Sequence, residues 1–198
     1  MRQKIKMNSI GLFGGTFDPI HIGHLITAQS VLELRNLSKI IFMPAYVSPL
    51  KVTYHSASSE DRANMVELVI KDNPRYDLSK YEIEKQNISY TIDTLNFLIK
   101  KYDNIELIIG YDNFLIFNKW RSSELILQLA KVIVLGRKTN NMNQKKLDER
   151  FIFVDSPMIE INSTKIRERV RNNLSIDFLV HPKIKNYIIE KKLYIGDR

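Results

Sequence analysis

Two rhythms of apolar residues alternate along the chain. Short unbroken runs occupy residues 10–13 (IGLF), 38–45 (SKIIFMPA), 104–110 (NIELIIG), 131–137 (KVIVLGR) and 151–154 (FIFV). Such runs read as strands buried on both faces. Between them, apolar residues recur at helical spacing over residues 25–35 and 59–71. The second of these carries Ala63, Met65, Val66, Val69 and Ile70 on one face, with Ser59 as its expected cap. A third helix opens at Ser89-Tyr90-Thr91 and continues through Ile92, Leu95, Leu98 and Ile99. A short helical turn through Phe114 and Phe117 leads to Trp120, and Ser122 or Ser123 caps a helix reaching Ala130. Residues 76–85 are rich in strand formers but alternate poorly, with Leu78 and Ile83 expected inward. Residues 138–150 are polar and read as a surface loop or short helix. Strands alternating with helices predict an α/β protein built on a doubly wound parallel sheet. Residues 156–198 form a helical C-terminal portion. No repeat, low-complexity tract or Gly/Ser linker divides the chain. Residues 8–198 therefore read as one domain, with 1–7 a loose lead-in and Met7 an alternative start.

Composition narrows this picture in three places. At 198 residues and 44% apolar, the chain has the means to bury one real core. No run approaches the ~18 apolar residues of a membrane span, and the basic start lacks a signal peptide's apolar stretch, so the cytoplasm is the expected compartment. The absence of cysteine removes disulfides, thiolate metal sites and cysteine nucleophiles together. The net charge of +8 fits polyanionic small molecules or, as an alternative, nucleic acid. Against the second, no dense basic run is interleaved with aromatics.

In a doubly wound sheet, ligands collect at the carboxyl ends of the strands near the switch point, so the residues just after each run carry particular weight. After the first comes GGTFDPIHIGH, residues 14–24. Gly14 and Gly15 suit positive φ and close backbone approach to a ligand. Thr16 adds a hydroxyl, Asp18-Pro19 a turn, and His21 and His24 stand where a helix begins. A helix N-terminus presents unpaired N–H groups and partial positive charge, hence a seat for phosphate. The conjunction, rather than H-x-G-H alone, points to a nucleotide-phosphate site.

This stretch resembles the N-terminal motif of the nucleotidyltransferase superfamily that shares H-x-G-H with class I aminoacyl-tRNA synthetases. Within it, the chain is most similar to the bacterial nicotinate-nucleotide adenylyltransferases. The later segments carry the same likeness. Residues 48–51 (SPLK) resemble the family's Pro-Pro-His-Lys loop, which implies that Lys51 binds mononucleotide phosphate. Leu50 stands where the family has histidine. SYTIDTL, residues 89–95, is similar to S-Y-T-x-x-T-L and implicates Thr91 in the acceptor site. Gly110 and Asp112, with Trp120 eight residues beyond the aspartate, resemble I-G-x-D with its following K-W. The resemblance makes Trp120 the face on which the pyridine ring stacks. Residues 161–167 (INSTKIR) resemble I-S-S-T-x-I-R, the second ATP motif, with Ser163, Thr164 and Arg167 on polyphosphate and Asn162 replacing a serine. Arg137, at the end of the fourth long run, joins the acceptor set, as does Thr16. The tail LVHPKIKNYIIEKKLY matches the family's C-terminal helix.

The resemblance implies a Rossmann-like nucleotidyltransferase fold and adenylyl transfer from ATP to nicotinate mononucleotide. His21 and His24 would be the catalytic pair, with Gly14, Gly15, Thr16 and Gly110 on ATP. Mg²⁺ would arrive on the triphosphate, since no cage of clustered carboxylates appears. The acid-over-amide choice has a physical route. A carboxylate only accepts hydrogen bonds, whereas an amide also donates. Alternatives are an adenylyltransferase for nicotinamide mononucleotide or phosphopantetheine, and a basic nucleic-acid-binding module. Homo-oligomerisation is left open.

Overall fold

The computed structural model describes residues 9–49, 57–136, 149–157 and 159–195. Lys51, Arg137 and nearly all of the polar stretch 138–150 lie outside the described residues. Six strands form one all-parallel sheet: β1 (Ile10–Gly15), β2 (Lys39–Pro44), β3 (Tyr76–Leu78), β4 (Ile105–Gly110), β5 (Lys131–Leu135) and β6 (Phe151–Val154). Their spatial order is β3-β2-β1-β4-β5-β6, so the winding reverses between β1 and β4. That is the doubly wound arrangement expected from the alternation.

The helices are α1 (Ile22–Leu34), α2 (Ser59–Ile70), α3 (Tyr81–Glu84), α4 (Thr91–Leu98), α5 (Tyr111–Leu115), α6 (Ser123–Leu129), α7 (Ser163–Arg171) and α8 (Pro182–Glu190). Because side chains alternate across a strand, each run feeds two cores. Phe13, Ile40, Phe42, Ile108 and Ile133 meet α1, α2, α7 and α8 on one face. Leu12, Ile41, Met43, Leu107 and Val132 meet α4 and α6 on the other. The C-terminal helices thus share a core with α1 and α2. The Tyr187 hydroxyl in α8 also donates to Asp61 in α2 at 2.9 Å.

Several local expectations are corrected. Residues 76–85 do not form one strand. β3 is a three-residue edge, after which the chain turns into α3. There Tyr81 stacks on Phe97 of α4 at 4.0 Å and Glu82 turns inward to Thr94, contacts that an extended chain would lose. Ser58 rather than Ser59 caps α2, accepting from the Asp61 N–H at 3.0 Å. Ser89 does not cap α4. Tyr90 holds that position, while Ser89 Oγ accepts from the Tyr46 N–H at 3.0 Å. Ser122 sits at the start of α6 in left-handed geometry without a capping side-chain bond. Neither Gly14 nor Gly15 breaks β1, and the positive φ among described glycines is at Gly136.

One polar residue lies inside the sheet. Glu106 on β4 is buried, and Arg35, directly after α1, reaches it with two bonds of 2.8 and 3.0 Å. The pair sits by the amino ends of the central strands, the opposite edge of the sheet from the strand carboxyl ends.

Candidate active site

The switch point opens into a cleft of about 1190 Å³ at the carboxyl ends of β1 and β4. Its wall includes Gly14, Gly15 and Thr16 after β1, Ser48 and Pro49 after β2, and Gly110 and Asp112 after β4. The starts of α1, α4 and α7 complete it. Strand ends that are far apart in the chain converge here, as the alternation of elements required.

At the first end, His21 is the cap residue of α1 and His24 lies one turn on. The His21 backbone N–H donates to His24 Nδ1 at 3.2 Å. An accepting Nδ1 in a neutral imidazole leaves the proton on Nε2, so His24 is held as an Nε2–H donor. The two rings stack at 3.7 Å between centroids and 24° between planes. Phe17 closes edge-on against His24 at 5.0 Å. His21 is buried, its Nδ1 has no hydrogen-bond partner, and burial lowers its pKa to about 4. It is therefore neutral near pH 7.

The backbone donors of this helix start are largely used within the protein. Ile22 N–H donates to Leu179 O at 3.0 Å and His24 N–H to His21 O at 3.0 Å. The imidazole N–H groups, rather than a row of unpaired amides, are what α1 offers an anion. Gly23 has a steric reason. A Cβ there would lie 3.1 Å from both Cε1 and Nδ1 of His21. Gly14 and Gly110 differ: added Cβ atoms meet nothing within 4 Å and would project into open space beside the cleft.

From the chain's far end, α7 leans on the same loop. It starts at Ser163, and Asn162 caps it by accepting from the Lys165 N–H at 2.9 Å. The Ser163 hydroxyl donates to Pro19 O at 3.0 Å, so its proton is committed to the loop. Arg167 donates to the Asp18 backbone carbonyl at 2.8 Å through Nη1, and to Thr164 Oγ1 at 3.2 Å through Nη2. The Asp18–Pro19 peptide is cis. Thus two motifs about 150 residues apart are bonded directly.

The opposite end gathers Tyr90, Thr91, Asp112 and Trp120. Trp120 packs against Phe117 at 5.3 Å, and its buried Nε1 lacks a partner. The Arg121 guanidinium lies over the Tyr90 ring, 4.7 Å from its centre. Every sequence-predicted site residue within the described residues lines this one cleft.

Sequence reading missed two supports. Arg62 is 1% exposed and bridges the Thr16 carbonyl at 2.6 Å and the Tyr46 carbonyl at 3.0 Å, tying the loop after β1 to the loop after β2. Its signal was present: Arg62 shares a helical stripe with Met65 and Val66, an odd place for a charge. Glu82 is buried in the cleft wall, its carboxyl bonded by Thr94 and pushed up in pKa by burial. Among the described residues no group of three His, Asp or Glu is placed to hold a metal, and no helix is long and apolar enough to cross a membrane.

Comparison with known proteins agrees with this geometry. The cytidylyltransferase-like family profile matches residues 12–169. A protein of Caldicellulosiruptor saccharolyticus named "probable nicotinate-nucleotide adenylyltransferase" is 42% identical over 193 residues, covering 93% of this chain and 98% of the relative. The Bacillus subtilis nicotinate-nucleotide adenylyltransferase is 37% identical over 190 residues, covering 95% and 99%. Among solved structures, Plasmodium falciparum nicotinic acid mononucleotide adenylyltransferase, complexed with NaAD, superposes with a TM-score of 0.74 at 20% identity. That superposition covers 94% of this chain and 97% of the other, and it speaks for the fold alone. With the profile across most of its length and such relatives end to end, the chain belongs to the cytidylyltransferase-like nucleotidyltransferases and, within them, to the nicotinate-nucleotide adenylyltransferases.

Proposed function

We infer that the protein transfers the adenylyl group of ATP to nicotinate mononucleotide, forming deamido-NAD (nicotinate adenine dinucleotide) and pyrophosphate. The observation that carries this reading is a single cleft with imidazoles and Arg167 at one end and Trp120 with the start of α4 at the other. A phosphate oxygen of the mononucleotide attacks the α-phosphorus of ATP. The new P–O bond forms as the bond to the bridging oxygen breaks, and the electron pair leaves on pyrophosphate. The nucleophile is already anionic, so no serine, cysteine or general base is required. The protein's task is to align two mutually repelling anions and to stabilise charge building on the phosphoryl oxygens.

The His24 Nε2–H is preset to donate to that charge, and His21 becomes a charged neighbour when phosphate raises its pKa. Arg167 supplies a permanent cation. The start of α7, with Ser163 and Thr164 on the cleft wall, lies at the same end and suits phosphate. Gly14, Gly15, Thr16 and Gly110 leave room for the nucleotide. For the acceptor, Trp120 offers a ring face for a pyridinium, which stacking and cation–π attraction favour. The start of α4 at Thr91 offers donors suited to a carboxylate, and Asp112 an acceptor for ribose hydroxyls. Lys51 and Arg137 stay in the acceptor set on sequence grounds. Mg²⁺ enters with the substrate as MgATP, keeping waters and few protein ligands. In this reading residues 8–198 act as one catalytic unit in the cytoplasm, and the charge of +8 serves nucleotides rather than nucleic acid.

The test is pyrophosphate release from MgATP with nicotinate mononucleotide, nicotinamide mononucleotide and phosphopantetheine offered separately. Strong preference for the first is expected. Preference for another acceptor would reject the reading of the Trp120 end, and no release with any would reject the reaction.

A further inference from the structure

We propose that Arg121 is a specificity-determining residue of the acceptor pocket: its guanidinium, laid on the Tyr90 ring at the cleft wall, takes the carboxylate of a pyridine mononucleotide and repels the amide. The inference rests on the reading of the Trp120 end as the acceptor site. Arg121 follows Trp120 directly, and its guanidinium carbon stands 4.7 Å from the centre of the Tyr90 ring. Tyr90, Thr91, Trp120 and Arg121 all line the cleft. The ring beneath the guanidinium is itself anchored, packed on the core that holds Ile92 and Leu95.

A stack of this kind covers a face of the guanidinium and leaves its five N–H donors around the rim. Among the described residues none of those donors is hydrogen-bonded, and no carboxylate pairs with Arg121. The acidic side chains nearby have partners of their own. Asp93 is held by Lys85 at 2.7 Å. Glu82 is bonded by Thr94 and Ser89, and its burial favours the neutral form. The other arginine of the cleft wall, Arg167, is tied to the loop after β1 and to Thr164. Arg121 is thus a cation with its donors uncommitted, beside the ring on which the pyridine stacks. Nicotinate mononucleotide carries a positive pyridinium and a negative carboxylate on one ring, so its base is neutral overall. The amide keeps the pyridinium charge alone. A cation at the edge of that ring attracts the first through charge-assisted hydrogen bonds and repels the second. The repulsive half is what donors of hydrogen bonds alone supply poorly. Both mononucleotides carry the same phosphate, which the reaction requires at the His24 end, so Arg121 at the opposite end meets the base.

The experiment uses the full chain and the variants Arg121→Gln and Arg121→Glu. Turnover is measured at saturating MgATP with nicotinate mononucleotide and with nicotinamide mononucleotide, and the ratio of their kcat/KM values is the readout. Arg121→Gln is expected to lower the acid-to-amide ratio by about tenfold, the scale of one lost charge-assisted hydrogen bond, with KM for ATP unchanged. Arg121→Glu should lower it further, by losing acid and gaining amide. In the wild type the ratio should fall as salt is raised, because an exposed guanidinium is screened, while effects on the shared phosphate cancel. An unchanged ratio in Arg121→Gln, equal ratios for the two variants, or a salt-independent wild-type ratio would overturn the proposal. A wild type that does not prefer the acid would reject the reading of the acceptor end and this inference with it. Absence of wild-type turnover with either would reject the reaction itself, and the inference falls there too.

Discussion

The stacked histidine pair makes a quantitative prediction about protons. Burial lowers the pKa of His21 to about 4, against 6.5 for a free imidazole. A phosphate charge arriving about 4 Å away interacts by roughly 4 kcal/mol at an effective dielectric constant near 20. That attraction opposes the effect of burial and raises the His21 pKa from about 4 back toward the ordinary imidazole range in the complex. At pH 6.5 free His21 is almost wholly neutral and bound His21 is partly protonated, so binding takes up a measurable fraction of a proton. Titration calorimetry of an ATP analogue in two buffers of different ionisation enthalpy gives this number directly. His21→Asn removes it, and the ligand's own titration cancels between the two proteins. Equal uptake by wild type and His21→Asn would refute the reasoning, as would no uptake by wild type. Stability obeys the same shift. A histidine whose folded pKa is depressed contributes stability that is full above 6.5 and is lost as pH falls through 6.5 toward 4. The total is about 3 kcal/mol. Thermal unfolding of the ligand-free protein between pH 7.5 and 4.5 would show the decline, smaller in His21→Asn.

Other consequences are simpler to measure. Trp120→Ala should raise KM for the mononucleotide by tenfold or somewhat more, the scale of an aromatic stacking contact, with KM for ATP unchanged; an unaltered mononucleotide KM would remove Trp120 from the acceptor site. Gly14→Ala should fold with normal thermal stability yet bind ATP weakly, because its methyl enters space that only ligand uses, whereas Gly23→Ala should disturb His21 and lower kcat. Arg35→Met strands the Glu106 carboxylate and should cost about 3–5 kcal/mol in chemical denaturation, with kinetic constants of the folded fraction unaffected.

Local pattern was enough for the strands, because a parallel strand covered on both faces must be apolar throughout. Ile40, Ile41, Phe42 and Met43 announce β2 whatever packs on them. The site's residues were legible because the two phosphate motifs and the acceptor segments are compact in sequence. What failed to show was anything decided by a partner far along the chain. The 76–85 segment splits because Glu82 and Tyr81 find α4, and no local property of YDLSKYEIEK contains that fact. Gly23 meets a steric need that the sequence does not display, for the His21 imidazole lies where a methyl would be. Asp18 read as a turn residue, and only the fold reveals that a tyrosine 176 residues later bonds it.

The bonds Asp18–Tyr194, Asp18–Arg167 and Pro19–Ser163 make the nucleotide cleft depend on residues synthesised after the whole sheet. A nascent chain that has already emerged through β5 carries the H-x-G-H loop but lacks the groups that hold it, so it cannot consume ATP while its sheet is still being built. Contacts of such sequence separation close late and slowly.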